Sequence, residues 1–172
     1  MNETGKTYSC GVLTLSDKGA KGKREDTSGP MLQEILEAAG YKVRSYKVIA
    51  DRQELIESTL IDWVDNVDLD LIITTGGTGV SPSDVTPEAT MSVIDREVPG
   101  ISEAMRLESL KITPRAVLSR GKSGIRGKSL IINLPGSAKA AKENIEAVLP
   151  ALDHAIYKIK GGTKDCVEVV RE

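Results

Sequence analysis

The 172-residue chain has no phenylalanine, one tryptophan, one histidine and two cysteines, and each shortage narrows the chemistry open to it. With aromatics at 3%, no stacking platform for single-stranded nucleic acid is visible. A net charge of −2 argues against nucleic-acid binding by electrostatics. A lone histidine, His154, argues against a histidine metal site or a Ser-His-Asp triad, so acid–base or metal chemistry must rest on carboxylates, lysines or bound water. Cys10 and Cys166 stand far apart with no Cys-x-x-Cys pair, which points to a reducing compartment without a disulfide framework or zinc site. No apolar run approaches the roughly 20 residues of a membrane span, and the opening MNETGKTYS resembles no signal peptide. We therefore expect a cytoplasmic protein with neither nucleic acid nor membrane as partner, and a single domain over residues 1–172.

The most informative stretch is residues 69–90, LDLIITTGGTGVSPSDVTPEAT. Its apolar start reads as a strand buried on both faces, as in a parallel sheet. Gly76, Gly77 and Gly79 let the chain turn sharply and leave bare N–H groups for a ligand. Thr74, Thr75 and Thr78 add hydroxyls. Open α/β sheets bind ligands at the carboxyl ends of strands, so this reads as a phosphate-binding loop. Asp84 would be repelled by bound phosphate unless a cation stood between them, and Mg²⁺ is the usual bridge. The pattern implies a Mg²⁺-nucleotide.

Strands and helices alternate along the chain, which predicts an α/β three-layer sandwich: a mostly parallel sheet with helices on both faces. Strands are expected at 9–15, 41–49, 69–75, 116–119 and 129–134, and helices at 29–40, 51–64, 87–96, 101–110 and 137–160. Leu55, Ile56, Leu60 and Trp63 are expected on the inner face of the second helix. Pro150 predicts a kink or break in the last. The tail, 164–172, reads as a strand or an oligomer contact.

Four other features carry chemistry. Residues 16–30 form a long Gly/Lys-rich loop, a length that is usually functional or disordered. Ser16, Asp17 and Asp26 lie near the carboxyl end of the first strand. Residues 131–137, IINLPGS, repeat the strand–turn–helix logic, with Ser137 as a cap and backbone amides free for an anion. The basic stretch Arg115, Arg120, Lys122, Arg126 and Lys128 is a solvated face or an anion site. Its two Gly-Lys-Ser triplets are not nucleotide loops of the G-x4-G-K-S type, because Ala116 and Lys122 stand where the first glycine belongs. Asp51, followed by Arg52-Gln53-Glu54, has the spacing of a helix N-cap.

In residues 14–17, 26–30, 74–90, 113–114, 124–127 and 130–137 the sequence resembles the MogA/MoaB family, the molybdopterin adenylyltransferases of molybdenum-cofactor synthesis. It departs from that pattern at Ser83, where arginine is common, and at Ala138, where proline is common. The resemblance implies that Mg²⁺-ATP and molybdopterin react to adenylylated molybdopterin and pyrophosphate. It assigns Asp84 and Asp51 as catalytic, metal-holding residues. It places the nucleotide on Thr75, Gly76, Gly77, Thr78, Gly79, Asn133, Pro135, Gly136 and Ser137. Molybdopterin falls to Ser16, Asp17, Asp26, Ser28, Ser119 and Arg120. It further implies a homotrimer or higher oligomer and contact with the molybdate-inserting enzyme. The rival readings are a non-catalytic molybdopterin- or nucleotide-binding member and a molybdate-insertion role.

Overall fold

The computed structural model describes residues 7–163. In chain order the elements are β1 (Ser9–Leu15), α1 (Asp17–Ala20), α2 (Ser28–Ala38), β2 (Lys42–Ile49), α3 (Gln53–Asp65), β3 (Leu71–Thr75) and α4 (Thr86–Val93). Then come β4 (Arg96–Glu97), α5 (Pro99–Leu110), a 3-10 turn (Pro114–Leu118), β5 (Ser123–Arg126), β6 (Ser129–Leu134) and α6 (Ala138–Ile159). The six strands form one sheet in the order β2-β1-β3-β6-β5-β4. β2, β1, β3 and β6 are parallel, and β5 and β4 add an antiparallel edge.

Alternation along the central strands divides the core into two layers. Val12, Leu71, Ile73, Leu130 and Ile132 pack with Leu32 and Leu36 of α2, Met105 of α5, and Ile145, Leu152 and Ile156 of α6. The intervening Leu13, Ile72 and Ile131 pack with Ile56, Leu60 and Trp63 of α3 and Ala89 and Val93 of α4. Burying each of these large side chains stabilises by roughly 1.5–3 kcal/mol. A slip of one residue would exchange the faces, so the register is strongly fixed. This is the expected three-layer sandwich.

The sheet order locates the site. From β1 the chain moves outward to β2, then returns to lay β3 on the other side of β1. A crevice opens where the strand order reverses, outside the carboxyl ends of β1 and β3.

Several local expectations are corrected. Residues 116–119 are not a strand: Thr113 accepts a hydrogen bond from the Arg115 N–H and starts a 3-10 turn. β4 and β5 had no expected counterpart. The loop 16–30 contains α1, whose start is capped by the Ser16 hydroxyl accepting from Gly19 N–H at 3.1 Å. Leu55 is exposed, whereas Ile56, Leu60 and Trp63 are buried. Helix α6 runs through Pro150 as one element. Asp51 does not cap α3: Arg52 holds that position, with no side-chain cap bond. The tail lies outside the described residues.

Candidate active site

The loop after β3 is built around its glycines. Gly76 and Gly77 take φ values of 110° and 62°, which L side chains rarely adopt. A Cβ on Gly76 would run into the Leu15 carbonyl at the end of β1, and one on Gly77 would strike the Thr86 hydroxyl. The turn is pinned from outside. Gly76 N–H donates to Leu134 O at 3.1 Å, the Thr86 hydroxyl donates to Gly76 O at 2.9 Å, and Thr86 N–H donates to Gly77 O at 3.1 Å. The N–H groups of Gly77, Thr78 and Gly79 donate to no acceptor among the described residues, nor do those of Gly136 and Ser137 ahead of α6. Two sets of uncommitted donors at adjacent strand ends make an anion cradle.

Two carboxylates border this cradle. The nearer oxygen of Asp84 lies 2.8 Å from the position a Cβ on Gly79 would take, and that of Asp51 lies 3.0 Å from the corresponding point on Gly77. Asp84 accepts a hydrogen bond from Ser81 N–H at 2.9 Å. Asp51 accepts one from Asp17 N–H at 2.9 Å, which draws its side chain away from α3 and toward the loop after β1. Burial raises the Asp51 pKa; the Asp17 N–H bond opposes this, and the charges of Asp17 and Asp84 add to the rise. A divalent cation between Asp51 and Asp84 would relieve that repulsion. No group of three or more His, Cys, Asp or Glu residues suited to a metal occurs among the described residues. Asp51 and Asp84 are the residues that would hold a Mg²⁺, an ion that takes one or two carboxylates from a protein and completes its shell with phosphate oxygens.

Two cavities of about 440 and 470 Å³ meet at Gly77, Asp84 and Gly136, which line both. Each is large enough for a substituted heterocycle. One is walled largely by apolar groups, including Ile112, Ala116, Leu118 and Pro135, with Arg106 and Arg115 also in its lining. The other is polar, with Ser16, Asp26, Ser28, Asp51 and Ser137 in its lining. A site of two chambers joined at an anion cradle can hold two substrates with their phosphates meeting in the middle.

Residues 11–154 match the family described as "probable molybdopterin binding domain". The chain belongs to this family. It is 46% identical over 159 residues to the molybdopterin adenylyltransferase of Helicobacter pylori J99, covering 90% of this chain and 89% of that one. It is 39% identical over 168 residues to the molybdopterin adenylyltransferase of Escherichia coli K12, covering 95% and 86%. Among solved structures, the molybdopterin biosynthesis enzyme MoaB of Thermus thermophilus superposes with a TM-score of 0.86 at 49% identity, covering 90% of this chain and 98% of that one.

The fold of this family member distributes the residues singled out in the sequence unevenly. Thr78, Gly79 and Pro135 line the apolar cavity, Thr75, Gly76 and Ser137 the polar one, and Gly77 and Gly136 both. The Thr75 hydroxyl is committed to Pro135 O at 2.7 Å. Asn133 is 1% exposed and its amide is fully engaged. It donates to the Thr74 and Thr90 hydroxyls and accepts from Lys122 N–H, which ties β6 to β3 and α4 and presents nothing to either cavity. Of the residues grouped for molybdopterin, Ser16, Asp26 and Ser28 line the polar cavity and Ser119 the apolar one, so they do not share a chamber. Asp17 and Arg120 lie outside both linings. Within the basic stretch, Lys122 pairs with Glu97 at 2.7 Å and Arg126 with Asp65 at 2.6 Å. Of that stretch, Arg115 alone reaches the wall of either cavity. Sequence reading missed the wall formed by Arg106 and Ser109 of α5 with Ala140 and Asn144 of α6. The one signal for it was Thr113-Pro114, which starts the turn that carries Ala116 and Leu118 into it.

Proposed function

We propose that this protein adenylylates molybdopterin with Mg²⁺-ATP, releasing pyrophosphate. The observation that carries the reading is the junction at Gly77, Asp84 and Gly136, where uncommitted N–H groups and two carboxylates stand between two substrate-sized chambers. The relatives named molybdopterin adenylyltransferase support it. An oxygen of the molybdopterin phosphate attacks the α-phosphorus of ATP and forms a new P–O bond. The bond from that phosphorus to the oxygen bridging to the β-phosphate breaks, and pyrophosphate leaves with the electron pair. No protein nucleophile is needed, in keeping with a chain that has a single histidine. The N–H groups of Gly77–Gly79 and of Gly136 and Ser137 hold and orient the α-phosphate, and catalysis is positioning plus charge stabilisation. Asp84 and Asp51 would hold Mg²⁺. When bound, that ion neutralises phosphate charge next to the two carboxylates.

The same reading makes the protein a cytoplasmic oligomer. Cys10 is buried, and burial, helped by Glu37 and Asp70, pushes its thiol pKa up to about 12, which leaves it unreactive. No helix among the described residues is long and apolar enough to cross a membrane. Leu107 and Val117 are 65% and 66% exposed on α5 and the 3-10 turn, a surface suited to a second copy.

The deciding assay is pyrophosphate release from ATP by the full chain. Release is expected only with both Mg²⁺ and molybdopterin. Release undiminished in EDTA, or equally fast without the pterin, overturns the reading. Binding of both substrates without release favours the non-catalytic alternative.

A further inference from the structure

We infer that Arg120 is a positioning residue that clamps the Asp84 loop, and not a ligand for substrate phosphate. A cation in a basic stretch near a phosphate site invites the second role. The geometry favours the first, because all three side-chain nitrogens bond the protein and Arg120 lies outside the linings of both cavities. Nε donates to Gly79 O at 2.6 Å, one terminal nitrogen donates to Asp84 O at 2.6 Å, and the other pairs with Glu88 at the start of α4. The Arg120 N–H adds a bond to Thr78 O at 2.9 Å. One residue thus fastens both ends of the segment 79–84 and the helix behind it.

That segment has little else to hold it. Val80, Ser81, Pro82 and Ser83 are exposed. Its internal bonds are Asp84 N–H to Ser81 O and Ser81 N–H to the Asp84 carboxylate, both at 2.9 Å, with the Ser81 and Ser83 hydroxyls 3.2 Å apart. These bonds shape the turn, but none anchors it to the fold. The anchor is the planar fork of the guanidinium, which reaches two carbonyls and a carboxylate at once; an ammonium cannot copy that pattern. Burial raises the Glu88 pKa, but the Arg120 hydrogen bond and charge, together with the Glu88 N–H, outweigh it. The carboxyl stays below the usual range and is ionised for this pairing at neutral pH.

The test uses the full chain with Arg120→Lys, Arg120→Ala and Glu88→Gln. Its first arm is independent of the proposed reaction: hydrogen exchange at the Ser81 and Asp84 amides without nucleotide. Both Arg120 variants are expected to exchange at least about tenfold faster there, with lysine no better than alanine. The second arm rests on the adenylyl-transfer reading. It expects kcat to fall and the Mg²⁺ concentration for half-maximal rate to rise at least about fivefold, while KM for molybdopterin stays within about twofold. Arg120→Lys with wild-type exchange overturns the clamp, as does a rise in molybdopterin KM with kcat kept. A wild-type protein without turnover removes the reaction and leaves the exchange arm to decide. If the Arg120 variants fail to fold, Glu88→Gln decides. The clamp expects it to speed exchange about two- to threefold, whereas a phosphate ligand released from Glu88 would lower KM for molybdopterin and leave exchange unchanged.

Discussion

Asp26 and Asp51 line the same polar cavity, one in the connection after β1 and the other just beyond β2, yet their surroundings are opposite in kind. Asp26 is surrounded by donors. One oxygen accepts from Ser28 N–H and Gly29 N–H, both at 3.0 Å, and the other from the Tyr46 hydroxyl at 2.7 Å. Burial alone would raise its pKa, but the Gly29 N–H, the Tyr46 hydroxyl and the Ser28 N–H together lower it. Asp51 is half-buried, and burial with the charges of Asp17 and Asp84 outweighs the bonds from the Asp17 N–H and its own N–H, so its pKa is raised. A carboxylate with donors on both oxygens holds the chain in place; here it fastens the start of α2. A carboxylate kept near two others, where its donors do not outweigh burial and like charge, would be stabilised by a cation from outside. The sequence had placed both in the site, Asp51 as a metal-holding residue or a helix cap and Asp26 among the residues for molybdopterin.

The largest expected effect is at the cation-facing pair. Asp84→Asn should remove nearly all turnover, because the amide keeps an oxygen for Ser81 N–H but loses the charge. Retention of more than about a tenth of the rate would mean a loss under ~1.4 kcal/mol of barrier, too little for a metal-holding group. Asp51→Asn should slow turnover at least about tenfold, again ~1.4 kcal/mol. Its melting temperature should hold or rise, since a buried charge next to like charges is removed. An Asp51→Asn protein with wild-type turnover would leave the metal on Asp84 alone, and one that melts several degrees lower would make Asp51 a structural carboxylate like Asp26.

What the sequence made legible follows from the range of the forces involved. β1, β3 and β6 were readable because strands buried on both faces are continuous apolar runs, and the glycine loop because only glycine accepts its backbone. β4 and β5, two and four residues long with Arg96, Glu97 and Gly124 among them, have too few residues for any period to emerge. Residues 116–119 looked β-prone, but Thr113-Pro114 set a 3-10 turn locally. Asp51 had the right spacing for a cap, and Glu54 stands where the pattern requires it. The competing donor, Asp17 N–H, is 34 residues away in the chain and is brought near only by the parallel pairing of β1 and β2. The basic stretch failed in the same way: whether a cation is free depends on Glu88, Glu97 and Asp65, which only the fold puts beside it.

The smallest effect concerns Asp26, and it separates the two carboxylates by pH. A group whose folded pKa lies below its unfolded value contributes stability above the unfolded value, near 4 for aspartate, and that stability is lost as pH falls through the folded pKa. Asp26→Asn keeps an acceptor for the Ser28 and Gly29 N–H groups but gives up the charge and the acceptor for Tyr46. At pH 7 it should be less stable by no more than about 1 kcal/mol, since solvent screens a group this open, which corresponds to about 2–4 °C in Tm for a domain of this size. The gap to wild type should close as pH falls below about 4, where wild-type Asp26 takes up its proton and loses the same advantage. Thermal melts of the two proteins from pH 7 to pH 3 check this. A gap that stays constant across the range would mean that shape, and not charge, is what Asp26 contributes. A variant more stable than wild type at pH 7 would place Asp26 with Asp51, as a carboxylate held at a cost to the fold.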